Sequence, residues 1–100
     1  MKIKTIDVNA KEWFDKVNGN SYFSADITVN FGMKTEKHFT LPFQYGYGNH
    51  YEHQAFKELQ KQGLVKPEDK RTSYWGYYRD HGIIYRHSKR ENCLKRELAK

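Results

Sequence analysis

The clearest hydrophobic pattern in the chain is the alternation over residues 21–31, SYFSADITVNF. Phe23, Ala25, Ile27, Val29 and Phe31 fall on one side of an extended chain, and Tyr22, Ser24, Asp26, Thr28 and Asn30 on the other. A period of two sustained this long predicts a strand with one face buried and one in water. Upstream, residues 2–8 (KIKTIDV) are β-branched and apolar in part and read as a partner strand. Residues 9–17 allow two readings. Asn9 with Glu12 can cap a short helix through Trp13 and Phe14, or the chain stays extended to Val17 and turns at Asn18-Gly19. The second is preferred, because Asn-Gly between two β-prone runs tolerates the positive φ of a tight hairpin turn. That turn sets Trp13 and Phe14 near Ser24 and Phe23 across the hairpin. After a turn at 32–34, residues 37–41 (KHFTL) predict a third strand with Phe39 and Leu41 inward, ended by Pro42.

The period then changes. In residues 42–64, PFQYGYGNHYEHQAFKELQKQGL, Ala55, Phe56 and Leu59 form one apolar stripe at helical spacing. Asn49 stands at the N-cap position and Glu52 three residues on completes a capping-box pattern. Gly63 follows the last turn where a left-handed residue is wanted, and Leu64 can fold back on it. A helix over 49–62 follows. A polar connector, residues 66–72 with Pro67 as a breaker, leads to residues 73–81 (SYWGYYRDH), a short helix with Tyr74, Tyr77 and Tyr78 on one face. Residues 83–88 (IIYRHS) read as a strand. The tail, 91–100, is either a helical turn or two or an edge strand. Together these predict one α+β domain over 1–100. A small antiparallel sheet of three to five strands, begun by an N-terminal meander, carries the main helix on one face, and a second, short helix follows.

Composition changes this picture in two ways. Aliphatic residues are scarce while aromatics are 16% of the chain, so the core is expected to rest on Tyr, Phe and Trp, whose polar tips need water or a partner. The formal charge of +6 is uneven: residues 1–63 hold eight Lys against seven acids, whereas 64–100 hold five Lys and five Arg against five acids. All the arginines lie in the last third, which points to a polyanionic or acidic partner. One cysteine, Cys93, excludes an internal disulfide framework and a cysteine-based zinc site. The N-terminus MKIKTIDVN lacks the apolar stretch of a signal peptide, and no window approaches a membrane span. The expectation is a cytoplasmic protein with no membrane partner.

Candidate chemistry is sparse. Gly46, Gly48 and Asn49, opening onto a helix N-terminus, form a place where an anion can sit, but the spacing is neither a P-loop nor a dinucleotide fingerprint. His50 and His53 share a helix face, yet spacing specifies no third ligand, so no metal is assigned. Cys93 lacks a local activating signature, and Glu68-Asp69 are adjacent rather than facing. No catalytic residue and no cofactor are expected. The stronger signal is RTSYWGYYRDHGIIYRHSKR, residues 71–90, which interleaves Arg71, Arg79, Arg86, Lys89 and Arg90 with aromatics that include Trp75 and Tyr85. Guanidinium groups bind phosphates bidentately while rings stack on bases, and the same mixture suits a protein interface. The expected function is non-enzymatic binding of nucleic acid through this segment, with Arg79, Arg86 and Arg90 on phosphates and Trp75 stacking. The alternative partner is an acidic protein surface.

Two segments, EWFDKVNGNSY (12–22) and YGYGNHY (45–51), resemble parts of small accessory proteins carried by phages and mobile elements of gut bacteria. The resemblance brings no activity and no catalytic residue. It implies an accessory protein working inside a bacterial host cell, which keeps open a binder that inhibits or adapts a host complex such as a CRISPR effector.

Overall fold

The computed structural model describes residues 2–65 and 73–98. Among these, β1 (Thr5–Asp15), β2 (Asn20–Val29), β3 (Lys37–Tyr45), α1 (His50–Lys61), α2 (Tyr74–Asp80), β4 (Ile84–Arg90) and α3 (Lys95–Leu98) follow in order. The fold is α+β. The four strands form one sheet in the order β3-β2-β1-β4. β1, β2 and β3 are the antiparallel meander. β4 returns after both longer helices and pairs with β1 in parallel, so the sheet is mixed rather than wholly antiparallel.

Residues 9–15 are strand, as the preferred reading of that stretch has it. The hairpin register differs by two residues. Trp13 pairs with Tyr22 and Phe14 with Ser21, because the turn spans 16–19 rather than Asn18-Gly19 alone. Asp15 holds this longer turn: its carboxylate accepts from the amides of Val17 (3.0 Å) and Asn18 (3.3 Å), and its carbonyl accepts from Gly19 (2.7 Å). A shift of two preserves which face each side chain takes. β3 also runs further than expected, through Pro42 to Tyr45. Leu41 pairs with Ala25 and Gln44 with Phe23, so two residues, Pro42 and Phe43, stand opposite Ser24 in a bulge. Proline is tolerated there because the strand is an edge and the bulge leaves its missing N–H unneeded.

The covered face carries Ile6, Val8 and Ala10 of β1 and Phe23, Ala25, Ile27 and Val29 of β2, all buried with Leu41, Ala55 and Leu59. Phe31 does not join them: it lies past the strand end and is 66% exposed. Asn30, expected in water, is fully buried instead. Its side chain accepts from the amide of Lys4 (2.7 Å) and donates to the carbonyl of Lys2 (3.0 Å) and the hydroxyl of Thr35 (2.9 Å). Those bonds pin the N-terminal segment to the end of β2, and satisfying its polar atoms is what permits the burial.

α1 has its expected C-terminus. Gly63 takes φ +76°, the amide of Leu64 bonds back to the carbonyl of Leu59 (3.0 Å) and that of Gly63 to Gln60 (3.0 Å). This paired pattern satisfies carbonyls the last turn leaves open. The N-terminus differs. Asn49 flanks the helix but makes no side-chain cap, and Glu52 turns inward. α2 begins at Ser73, whose hydroxyl accepts from the amide of Gly76 (3.1 Å), and it buries Tyr74, Tyr77 and Tyr78 as a face. In the tail, the short helix α3 forms rather than a further strand.

Candidate nucleic-acid interface

Register decides where the expected site residues go. In β4, Tyr85, His87 and Lys89 stand level with Ile6, Val8 and Ala10 and face the helices, while Ile84, Arg86, Ser88 and Arg90 face the opposite side. The cationic aromatic segment is therefore split across the sheet. Arg86 forms a bidentate pair with Asp7, Nε to Oδ1 2.7 Å and Nη2 to Oδ2 2.9 Å. Arg90 pairs with Glu97 and donates to Cys93 Sγ at 3.3 Å. Lys89 meets Glu12 at 2.7 Å and donates to the carbonyl of Gly48 at 3.1 Å. Arg79, at the end of α2, lies in solvent beside Asp80 at 3.3 Å. Trp75 is half-exposed and edge-on to Tyr85 (5.0 Å) and His87 (5.6 Å). Arg71 lies outside the described residues.

On the helix side, Tyr85 and His87 reach a buried carboxylate, Glu52, that sequence reasoning assigned to capping. Glu52 accepts a 2.6 Å hydrogen bond from the Tyr85 hydroxyl. His87 Nδ1 lies 3.7 Å from Glu52 and shares a 3.0 Å hydrogen bond with the Tyr51 hydroxyl. Burial, reinforced by the Glu52 charge, pushes Tyr51 up to about 12 and raises Tyr74 as well. Burial raises Tyr85 too, and its hydrogen bond to Glu52 adds to the effect. Burial likewise raises Tyr78, whose hydroxyl has no hydrogen-bond partner among the described residues. The cluster is packed ring on ring and keeps its hydroxyls protonated through neutral pH. It is a polar core whose hydrogen bonds brace α1 against β4.

Among the described residues, only the short helix α3 packs against the other face. Beside the Arg86–Asp7 pair, Ser88 donates to Asn9 at 2.7 Å. Toward the β1–β2 turn the polar pattern gives way to rings. Trp13 and Tyr22 stack at 5.6 Å, Tyr22 and Phe43 at 5.1 Å with planes only 9° apart, and Tyr45 meets Tyr22 edge-on at 5.8 Å. The bulge at Pro42 and Phe43 brings Phe43 and Tyr45 to this side. The ammonium of Lys95, on α3, stands 5.3 Å from the Trp13 ring centre. Lys11 lies on the same face of β1, level with Ser24. Phe43 and Tyr45 are 38% and 55% exposed, so the array is reachable from solvent. Sequence reasoning missed it because the third strand was ended at Pro42. Trp13 and Tyr22, both half-buried polar-face positions of the hairpin, were its available signal.

The anion site expected at Gly46, Gly48 and Asn49 is a solvent-open groove of about 340 Å³, lined by Tyr45, Gly46, Tyr47, Asn49, His50 and His53. Gly46 is required by close packing, since a Cβ there would stand 2.6 Å from the His50 ring and 2.7 Å from Phe23. Gly48 turns its carbonyl to Lys89 instead of lining the groove. Among the described residues no cluster of three or more His, Cys, Asp or Glu side chains has the geometry to hold a metal ion. Nor is any helix long and apolar enough to cross a membrane.

Comparison with known protein families, with curated proteins and with solved structures finds no match to this chain.

Proposed function

We propose that the protein binds nucleic acid through the face of its sheet opposite the two longer helices, not through the C-terminal segment as a unit. The carrying observation is the array of Trp13, Tyr22, Phe43 and Tyr45 on a face that neither of the longer described helices covers, with Lys95 over its outer ring. Aromatic side chains on a strand surface offer π-faces to bases, and nearby cations serve the phosphates. The net charge of +6 supplies the long-range attraction. Arg86 and Arg90 border this face but are already matched by carboxylates, so the rings contribute more than the arginines.

The test is fluorescence anisotropy of labelled DNA and RNA oligonucleotides at two salt concentrations. Binding in the micromolar range that weakens with salt is expected. Tyr22→Ala with Phe43→Ala should reduce it at least tenfold while the circular dichroism spectrum is retained. No salt-sensitive binding at micromolar protein would overturn the proposal.

A protein partner is a second reading, favoured by one observation. β4 is an edge strand whose start, Ile84, is 60% exposed, and Trp75 lies half-exposed close to the same strand. Such an edge can take an added strand. Pull-down of a discrete host protein, lost on Trp75→Ala, is what this reading expects.

A further inference from the structure

Tyr45 belongs to two features at once. It closes the aromatic array through its edge contact with Tyr22, and it forms one wall of the groove lined by Tyr47, Asn49, His50 and His53. The two surfaces are therefore continuous around the end of β3. Tyr47 stands 70% exposed on the far side of that groove, a large ring held in water with no burial to account for it. The close packing of Gly46 against Phe23 and His50 fixes the chain between the two tyrosines.

We infer, resting on the nucleic-acid reading above, that the ligand is single-stranded and runs from the array over Tyr45 into the groove. The chemistry selects the strand state. Rings can accept a base only when its face is free, and a duplex buries those faces in its own stack. Tyr22 and Phe43 are stacked with near-parallel planes, so a base joins them by extending that stack, which an unpaired nucleotide can do. In the groove the two tyrosines offer further π-faces. The imidazoles of His50 and His53 and the amide of Asn49 offer hydrogen bonds to base edges or phosphate oxygens.

The experiment titrates the full chain into labelled single-stranded and duplex oligonucleotides of one sequence, with Tyr47→Ala as the variant. The single strand should bind at least tenfold tighter than the duplex, and Tyr47→Ala should weaken it by roughly five- to a hundred-fold, the range for loss of one stacked base. Equal or tighter duplex binding overturns the inference while leaving the broader reading standing. Unchanged affinity in Tyr47→Ala, with Phe43→Ala still impaired, removes the groove from the path. Binding to neither form sinks the broader reading itself. Tyr47 is exposed, so its substitution leaves folding intact, and a retained thermal midpoint verifies that.

Discussion

The two faces of the sheet use aromatic residues for opposite purposes. Under the helices, Tyr51, Tyr74, Tyr78 and Tyr85 are brought around one buried carboxylate, Glu52, and their rings close the core that too few aliphatics would leave open. On the far side, Trp13, Tyr22, Phe43 and Tyr45 stack on one another and stay in reach of water. The first arrangement is tied by polar contacts such as that of Tyr85 with Glu52, since a buried polar group that loses its partner costs stability. The second makes no such demand and is free to serve a ligand. Aromatic content alone therefore says little about function. What separates brace from platform is which face of β1 and β2 each ring takes, and what covers that face.

The comparison is tested most severely by deleting one large side chain from each face. Leu59→Ala removes a fully buried group of α1 and should lower unfolding free energy by about 2–5 kcal/mol. Phe43→Ala removes a 38% exposed ring and should cost no more than about 1.5 kcal/mol, the scale of its stacking contacts. Urea unfolding of both variants measures the difference. Similar costs would show that the open face is core after all.

Much of this division was legible in the sequence, and its failures have physical causes. The alternation of β2 named Phe23, Ala25, Ile27 and Val29 as buried, and they are, but Ser24, set by the same alternation on the wet face, is buried too. Gly63 and Leu64 end α1 as their chemistry requires, and Tyr74, Tyr77 and Tyr78 share a buried face. Glu52 was misassigned because the capping-box spacing competes with a tertiary partner 33 residues away, Tyr85, which spacing cannot reveal. The parallel pairing of β4 was hidden because strand direction is set by the crossover through α1 and α2, not by residues within β4. The cationic aromatic segment is divided between the faces for a related reason. Cations and rings adjacent in sequence alternate between faces once extended, and the acid that neutralises Arg86 is 79 residues distant.

Within the covered face, hydroxyls differ in a way single-atom changes expose. Tyr85→Phe strips the buried Glu52 carboxylate of a 2.6 Å donor and should destabilise by about 1–3 kcal/mol. Tyr78→Phe removes a hydroxyl with no hydrogen-bond partner among the described residues and should be neutral or slightly stabilising. Equal losses in the two variants would contradict the distinction. The same residues set the response to alkali. Tyr51 is raised to about 12 from an ordinary 10, so between those values the folded state retains a proton that the unfolded chain has released. Stability is then complete below pH 10 and falls as pH rises through 12, by at most about 1.4 kcal/mol per pH unit for each such tyrosine. Urea midpoints from pH 9 to 11.5 should decline steeply in the parent chain and less steeply in Tyr51→Phe.

The smallest effect belongs to one of the three arginines that the sequence reading placed on phosphates. Arg86 is more than half exposed, and its bidentate pair with Asp7 sits at the sheet surface, where such pairs contribute about 0–1 kcal/mol. Arg86→Ala should move the urea midpoint little. It should also leave the salt dependence of oligonucleotide binding unchanged, because a guanidinium already held by a carboxylate displaces no counterion when a phosphate approaches. Lys95→Ala differs in kind: its ammonium stands over the Trp13 ring, with Asp15 in its field but without a close ion pair like that of Arg86 among the described residues, so its loss should reduce the slope of log K against log salt by about 0.7, one single-strand phosphate contact. Slopes measured for the two variants assign the phosphates to the arginines of β4 or to the lysine above the array. A reduced slope in Arg86→Ala with none in Lys95→Ala would return the interface to the C-terminal strand.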